Sequence, residues 1–152
     1  MKQGKFSSPI KGLIKIISIS LFCSLSHMIS GQVQVNEEGF EYFEYQDGDT
    51  TYMMKKYFLV VYTSGPNRNQ SKEEASKLQS AHLAHQGKMA EDKKLCLAGP
   101  MGDDGEWRGI LILNVPNEKE AKDLIDNDPM VKAGRLKYIL KPWWGSIGTA
   151  LY

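Results

Sequence analysis

Apolar residues fall into short blocks along the chain, and turn-forming Gly, Pro and Asn residues separate these blocks. The block at residues 57–62 is rich in aromatic and β-branched residues and predicts a buried strand that ends at Gly65. Similar blocks recur further along the chain. Four strands are predicted, over residues 57–62, 95–98, 107–115 and 136–143.

Two segments between these strands predict helices. Over residues 72–91, apolar and His residues recur at spacings of three and four and would share one helix face. Ser71 and Glu74 have the spacing of a capping box at the start of this helix. The second helix is predicted over residues 118–127. It ends at Asp128–Pro129, because the residue before a proline disfavours helical geometry.

The order of these elements is β-α-β-β-α-β, which is typical of an α+β, ferredoxin-like fold. Right-handed crossovers would place both helices on one face of a four-stranded antiparallel sheet. Both faces of strands 57–62 and 107–115 are apolar, so two helices would leave one apolar face open. We therefore expect a homodimer that packs sheet against sheet. The alternative is that residues 32–52 cover this face.

The N-terminus has the pattern of a secretory signal peptide. Lys2, Lys5 and Lys11 precede a short apolar core at residues 16–23, and the small residues Ser30 and Gly31 follow it. The core is shorter than the roughly 20 residues that a spanning helix needs, so we expect cleavage near Ser30 or Gly31 and no stable membrane span afterwards. An uncleaved anchor and a lipid anchor at Cys23 are the alternatives. The mature protein would be exported, either periplasmic or secreted.

The domain boundaries follow from these patterns. Residues 1–31 are predicted to be the signal peptide, 32–52 a polar N-terminal arm, 53–147 the domain and 148–152 a C-terminal tail. A chain of 152 residues has room for one domain of this kind plus an extension.

Charge and cysteine content narrow the classes of function. The chain has 19 Lys and Arg against 18 Asp and Glu, and it has no basic run that would neutralise phosphates, so no nucleic acid partner is expected. After cleavage, Cys96 would be the single cysteine and could form no internal disulfide. Its position between two leucines of a strand predicts core packing rather than reactivity.

Several short motifs follow one another across residues 55–145. They are Gln79-Ser80-Ala81-His82-Leu83, Leu95-Cys96-Leu97-Ala98-Gly99-Pro100, Arg108-Gly109-Ile110, Glu120-Ala121-Lys122, Asp128-Pro129-Met130-Val131-Lys132-Ala133-Gly134-Arg135-Leu136 and Lys141-Pro142-Trp143. This ordered set, more than any single motif, resembles the YCII-related domain family. The resemblance implies a ferredoxin-like dimeric α/β barrel, in agreement with the pattern of strands and helices.

The resemblance also implies an active-site dyad, proposed in that family for a helix histidine and the aspartate of an Asp-Pro step, which match His82 and Asp128 here. From the residues alone, His82 lies on the apolar face of the first helix and can transfer protons near neutral pH. Asp128 could fix its tautomer if the two helices lie side by side. The alternative is a buried hydrogen bond that only ties the helices together. Some relatives resemble enzymes acting on chlorinated aromatic ring-cleavage or hydroquinone-type substrates, but most have no assigned reaction.

Five further residues are candidates for ligand binding. Arg108 could bind an anionic group or pair with an acidic side chain. Gly99 and Pro100 could rim a pocket or form a tight strand exit, and Trp143 could wall a cavity or seal the barrel end. His85 follows the dyad histidine at i+3, but no third ligand completes a metal set, so we expect no metal and assign His85 to the pocket lining or the solvent edge. No nucleotide-binding glycine motif is present, and no cofactor is expected.

These candidates predict general acid/base chemistry on a small, cyclic or aromatic molecule. Lyase, isomerase or dehalogenase-type proton transfer would suit a His–Asp dyad, because it needs no cofactor. Two alternatives use the same scaffold: a small-ligand-binding module without catalysis, and a structural dimer in a larger exported assembly. The expected partners are a small-molecule ligand and a second copy of the chain.

Overall fold

The structure is a computed structural model that describes residues 31–150, which form six strands and three helices. Except for residue 31, the predicted signal peptide lies outside the described residues, as do tail residues 151–152. The elements are β1 (Gln34–Val35), β2 (Glu41–Asp47), β3 (Thr50–Ser64), α1 (Lys72–Glu91), β4 (Leu95–Pro100), β5 (Trp107–Leu113), α2 (Glu118–Asp126), α3 (Pro129–Lys132) and β6 (Leu136–Ser146). Across residues 31–150, no helix has the length and hydropathy that a bilayer crossing requires.

The 15-residue strand β3 is the centre of an antiparallel sheet. β6 pairs along one edge of β3, from Met54 opposite Ser146 to Ser64 opposite Leu136. The other edge is shared, since β2 pairs with the first part of β3 and β5 pairs with the last part. β4 lies outside β5, which gives the order β4-β5-β3-β6 beside the helices. This α+β domain with an antiparallel sheet is compatible with the predicted ferredoxin-like fold.

Residues 32–52, predicted as a polar arm, form β1, β2 and the start of β3. A two-residue turn joins β2 to β3, and its first residue, Gly48, has a φ of 57°. Hairpin turns need positive φ at this position, and glycine adopts it without a steric penalty. Phe43 of β2 packs edge-on against Trp144 of β6, with ring centroids 5.0 Å apart. The segment therefore extends the sheet beyond the predicted start of the first strand at Tyr57.

The core lies between the helices and one face of the sheet. Its buried cluster contains Phe58, Val60, Tyr62, Leu111, Leu113 and Leu136 from the strands, and Met89, Ala121, Ile125 and Met130 from the helices. Alternate residues of the same strands face away from the helices. Among them, Ile139 and Trp143 are 44% and 43% exposed. In the single chain, one sheet face is therefore covered by helices, and the other carries partly exposed apolar residues.

The helices α1 and α2 begin where the sequence predicts. Ser71 Oγ accepts from the Glu74 N–H at 3.2 Å, and Glu74 Oε2 accepts from the Ser71 N–H at 2.9 Å, which completes the capping box of α1. Asn117 caps α2 by accepting from the Glu120 N–H at 2.9 Å. The single-turn helix α3 is not predicted, because the Asp-Pro step by itself indicates only a helix end.

Candidate functional site

Caps at both ends of α3 fix the position of Asp128. Asp128 is the N-cap, and its Oδ1 accepts from the Met130 N–H at 2.8 Å. Pro129 at the first helical position has a suitable φ and no N–H that would need a partner. At the other end, Gly134 with a φ of 67° permits a Schellman motif, in which the Arg135 N–H donates to the Met130 carbonyl at 2.9 Å. The Asp-Pro step thus both ends α2 and orients a carboxylate.

His82 and Asp128 are in direct contact. His82 Nδ1 lies 2.6 Å from Asp128 Oδ2, and the Asp128 side chain is 0% exposed. Tyr62 Oη donates to the same carboxylate oxygen at 2.7 Å, and its ring packs edge-on against the His82 ring with centroids 5.6 Å apart. Together with the Met130 N–H on Oδ1, these contacts give the buried carboxylate three donors. In the described part of the chain, no buried polar side-chain atom lacks a hydrogen-bond partner.

These donors keep the Asp128 carboxylate ionised. Burial acts to raise the pKa of Asp128, but the hydrogen bonds from His82 and Tyr62, the electrostatic effect of His82 and the Met130 N–H together hold this pKa below its usual value. Burial, followed by the charge and hydrogen bond of Asp128, raises the pKa of Tyr62 far above its usual range. The phenol therefore stays protonated and remains a donor to the carboxylate.

The tautomer of His82 follows from its two partners. Because an ionised carboxylate only accepts, His82 Nδ1 carries the hydrogen, and the neutral ring has its lone pair on Nε2. Gln86 lies one helical turn further along α1, and its amide nitrogen is 2.8 Å from this Nε2. The Gln86 amide therefore donates to Nε2. His82 is therefore held in the tautomer whose basic nitrogen is Nε2, while Nδ1 contacts the Asp128 carboxylate.

His82 and Gln86 line a cleft of about 460 Å³, a volume suited to a small organic molecule. The cleft lies between α1 and the ends of four strands, with Leu83 and Leu136 among its apolar walls. Asp128 does not line the cleft but lies behind His82. The site thus presents the imidazole to the cavity and keeps the carboxylate away from it.

Three of the residues predicted to bind a ligand line this cleft. Gly99 and Pro100 end β4, and Arg108 lies near the start of β5, opposite them in the sheet. The alternation of the two strands and the pairing of Pro100 with Gly109 bring these ends together. The sequence therefore locates the strand side of the cleft.

The other two predicted binding residues lie outside the cleft. His85 donates from Nε2 to the Leu124 carbonyl at 2.9 Å and so ties α1 to α2. A three-residue step turns a side chain by about 60° around the helix from His82, which is enough to direct it at the neighbouring helix. Trp143 packs against Tyr57, with ring centroids 6.0 Å apart, on the open face of the sheet. Strand alternation puts it on the face opposite to Leu136.

Five polar residues of the site are not predicted from the sequence: Tyr62, Arg68, Gln79, Gln86 and Arg135. Gln86 carries a usable signal, because it follows His82 at i+4 on the same helix. The local pattern places Tyr62 only in a hydrophobic strand. Arg68 and Arg135 lie in loops far apart in sequence, and both line the cleft. Their convergence depends on the pairing of β3 with β6, which no local pattern shows.

Metal ligation and thiol chemistry have no support in the described residues. No group of three or more His, Cys, Asp or Glu side chains in residues 31–150 is arranged to hold a metal ion. Cys96 is exposed, so the prediction that it packs in the core is wrong. The pairing of β4 with β5 shifts register between Leu95 and Leu97, which removes Cys96 from the regular alternation of the strand. Partial shielding of the thiol from water nevertheless raises the pKa of Cys96, which disfavours the reactive thiolate.

The fold and the site define an α+β protein with a buried His–Asp pair beneath a polar cleft. The family model of the YCII-related domain matches residues 56–144, and the chain belongs to this family. No curated protein matches it.

One solved structure that is similar to the chain is the 5-chloro-2-hydroxyhydroquinone dehydrochlorinase of Burkholderia phenoliruptrix AC1100, in complex with 2,5-dihydroxybenzoquinone. It shares 23% sequence identity, with a TM-score of 0.44, over 57% of this chain and 92% of that chain. At this level the likeness supports neither a substrate nor a reaction for the present protein.

Proposed function

We propose that this YCII-related protein catalyses proton transfer on a small molecule bound in the cleft, with His82 as the general acid/base. The observation that carries the proposal is the 2.6 Å contact between His82 Nδ1 and the buried Asp128 Oδ2, beside a cleft that His82 itself lines. A contact of this length lies within the range for a base oriented by a carboxylate. The proposal includes lyase, isomerase and dehalogenase-type reactions, since each begins or ends with such a transfer.

The proposed chemical step uses Nε2 of His82. A C–H or O–H bond of the bound molecule breaks, its proton moves to the lone pair of Nε2, and the electron pair stays on the molecule. The resulting imidazolium is stabilised by the ionised Asp128, which Tyr62 and the Met130 N–H hold in place. A positioned acid/base of this kind contributes roughly 10²–10⁴ in rate.

Gln86 has to change its contact during this step. In the structure the Gln86 amide nitrogen donates to His82 Nε2, so Nε2 cannot take a proton while this contact persists. Rotation of the side-chain amide would release Nε2 and then present the amide oxygen to the protonated ring. We therefore assign Gln86 a positioning role in which it partners both protonation states of His82.

Hydrogen–deuterium exchange tests the proposal on several classes of candidate substrate at once. The folded protein is incubated in D₂O with a panel of cyclic ketones, lactones and hydroxyquinones, and loss of carbon-bound hydrogen is followed by proton NMR. We expect the protein to accelerate exchange in at least one class of compound, and His82→Gln to remove about 10²–10⁴ of that acceleration.

The matched control is His85→Gln, which alters a histidine on the same helix outside the cleft and should leave the exchange rate unchanged. Equal rates for the wild-type and His82→Gln proteins would exclude His82 as the acid/base.

A small-ligand-binding module without catalysis is the second candidate. The contact that favours it is the Gln86 donor on His82 Nε2, because it satisfies the nitrogen that a reaction would need. Saturable binding of a panel member, with no exchange of its hydrogens at any pH, would support this candidate over the first.

We also propose the larger architecture of a dimeric α/β barrel, formed when two copies cover their open sheet faces. The exposed Ile139 and Trp143 on that face support this proposal, because soluble monomers rarely leave large apolar patches open. Sedimentation at micromolar concentration checks it, and the mass of a single chain would contradict it. The N-terminal pattern supports export to the periplasm or medium after cleavage near residue 31, which N-terminal sequencing of the mature protein checks.

A further inference from the structure

We infer that the molecule bound beside His82 is a small organic acid whose anionic oxygens are held by Arg68, Arg108 and Arg135. The inference rests on the proposed function, because it names the substrate class of the same cleft. Three separate segments bring these arginines to one cavity: the loop after β3, the start of β5 and the residue before β6. Among the described residues, no Asp or Glu lines the cleft, so the charged groups on its walls are all cationic.

The hydrogen-bond partners of Arg135 and Arg68 carry no charge. Arg135 Nη1 donates to the neutral Gln70 Oε1 at 2.8 Å, and Arg68 Nη1 donates to the Arg135 carbonyl at 3.4 Å. Within residues 31–150, neither of these two arginines has a carboxylate oxygen within 4.0 Å. Arg108 has one, Asp104 Oδ1, at 3.8 Å, on a side chain fully open to solvent.

Four lysines elsewhere in the described part of the chain are neutralised locally. Lys88, Lys94, Lys119 and Lys122 each have a carboxylate oxygen at 2.5 to 2.8 Å. The cleft differs from these regions of the described chain, because none of its three arginines has a carboxylate oxygen as close as those of the four lysines. Like charges at one concave surface repel one another, and an anion placed among them removes that repulsion and gains charge-assisted hydrogen bonds.

The chemistry of the arginine side chain narrows the class of ligand. A guanidinium group is planar and presents paired donors that match the two oxygens of a carboxylate or of a phosphate-type oxyanion. Apolar side chains of Leu83, Met130 and Leu136 line the same cleft and suit a hydrocarbon or ring portion. An acid held at its anionic end by the arginines would place its uncharged portion against these residues and beside His82 Nε2.

Matched probes test the charge requirement directly. The isotopically labelled protein is titrated with benzoate, with the isosteric neutral benzamide, and with inorganic phosphate, and chemical-shift changes in the cleft give the dissociation constants. We expect benzoate to bind at least about tenfold more tightly than benzamide, and its affinity to fall as NaCl is raised. Arg108→Gln and Arg135→Gln should each weaken benzoate binding about tenfold while leaving benzamide unchanged.

The control variant is Lys119→Gln, which removes the same charge from an exposed position on α2 outside the cleft. It should leave benzoate affinity unchanged, and unaltered spectra away from the cleft establish that each variant is folded. Equal affinity for benzoate and benzamide, absence of shifts with both anions, or equal weakening by Lys119→Gln would each overturn the inference. Tighter binding of phosphate than of benzoate would support it and identify the phosphate-type oxyanion as the preferred group.

The two proposals fail in different ways. Arginine-dependent benzoate binding, in a protein that exchanges no hydrogen in any panel compound, supports the anion site and rejects the catalytic role of His82. Exchange that depends on His82, with benzoate and benzamide bound equally, supports catalysis and rejects the anion site.

Discussion

Two triads of similar composition lie side by side in this protein. Asp128 accepts from Tyr62 on β3 and contacts the basic side chain of His82. Asp126, two residues earlier, accepts from Tyr138 on β6 at 2.7 Å and from Lys122 at 2.6 Å. The two tyrosines are even paired in the sheet, Tyr62 opposite Tyr138. Each triad therefore has a carboxylate from the α2–α3 region, a tyrosine from the sheet and a basic group from a helix.

Burial is what distinguishes the two triads. The Asp126 side chain is 47% exposed, whereas that of Asp128 is 0% exposed. Hydrogen bonds from Lys122 and Tyr138 hold the pKa of Asp126 below its usual value, as those from His82 and Tyr62 do for Asp128 against the effect of burial. Water can replace a lost partner at the exposed triad but not at the buried one. Similar groups thus form a solvent-exposed network in one place and a buried network in the other.

Removing the carboxylate of each triad in turn should give the largest difference in stability between the two triads. Asp128→Ala leaves His82 and Tyr62 without their buried acceptor and removes the cap of α3, so we expect it to lower the free energy of unfolding by about 3–5 kcal/mol. Asp126→Ala should lower it by less than about 1 kcal/mol. Urea denaturation of both variants measures the difference, and equal losses would show that burial does not separate the two triads.

The two tyrosines give a smaller contrast of the same kind. Tyr62→Phe keeps the ring against His82 but removes a donor from a buried, ionised acceptor, at a cost of about 1.5–3 kcal/mol. Tyr138→Phe should cost less than about 1 kcal/mol, because water can take the place of the phenol. Thermal and urea unfolding of the pair provide the measurement. A larger loss for Tyr138→Phe than for Tyr62→Phe would contradict the comparison.

The dependence of stability on pH should give the smallest contrast. The pKa of Asp128 is lower in the folded protein than the value of 3.8 expected for an unperturbed group, so the unfolded state binds more protons between these two pKa values. The stabilisation is therefore complete above pH about 4 and is lost as the pH falls through the folded-state pKa.

Unfolding free energies measured between pH about 2 and 5 should fall less steeply in Asp128→Asn than in the wild-type protein. Asp126→Asn should change the slope less, because solvent screens its exposed pair. If the slope in Asp128→Asn equals that of the wild-type protein, the Asp128 carboxylate of the wild-type protein is not ionised in the folded state.

The sequence contains most of the information about the order of elements. It predicts helix α1 with the bounds and capping box that the structure has, because Ser71 and Glu74 act locally. It does not predict the length of β3 or its pairing with β2, because the polar and aromatic segment before Tyr57 has no clear apolar block. The hairpin depends on the turn at Gly48 and on cross-strand contacts such as Phe43 with Trp144, which only the folded sheet brings together.

The site, like the fold, combines residues that local sequence patterns predict with residues that only the pairing of distant strands brings together. The helix face, the Asp-Pro step and the family resemblance together predict the pairing of His82 with Asp128, and the two side chains do meet. His85, assigned to the pocket lining or the solvent edge, does not line the cleft, because its different position around the helix directs the side chain at α2. Arg68 and Arg135 cannot be identified from the sequence, since their approach depends on the antiparallel pairing of strands that begin and end near them.

The pairing of β6 along β3 also has a consequence for how the chain folds during synthesis. Eleven residue pairs join the two strands, from Met54 with Ser146 to Ser64 with Leu136, across a long separation in sequence. Until residues 136–146 have left the ribosome, one edge of the central strand has unpaired N–H and C=O groups, and contacts of such long range form slowly. We therefore expect the nascent chain to stay open and accessible to holding chaperones until residues 136–146 have emerged.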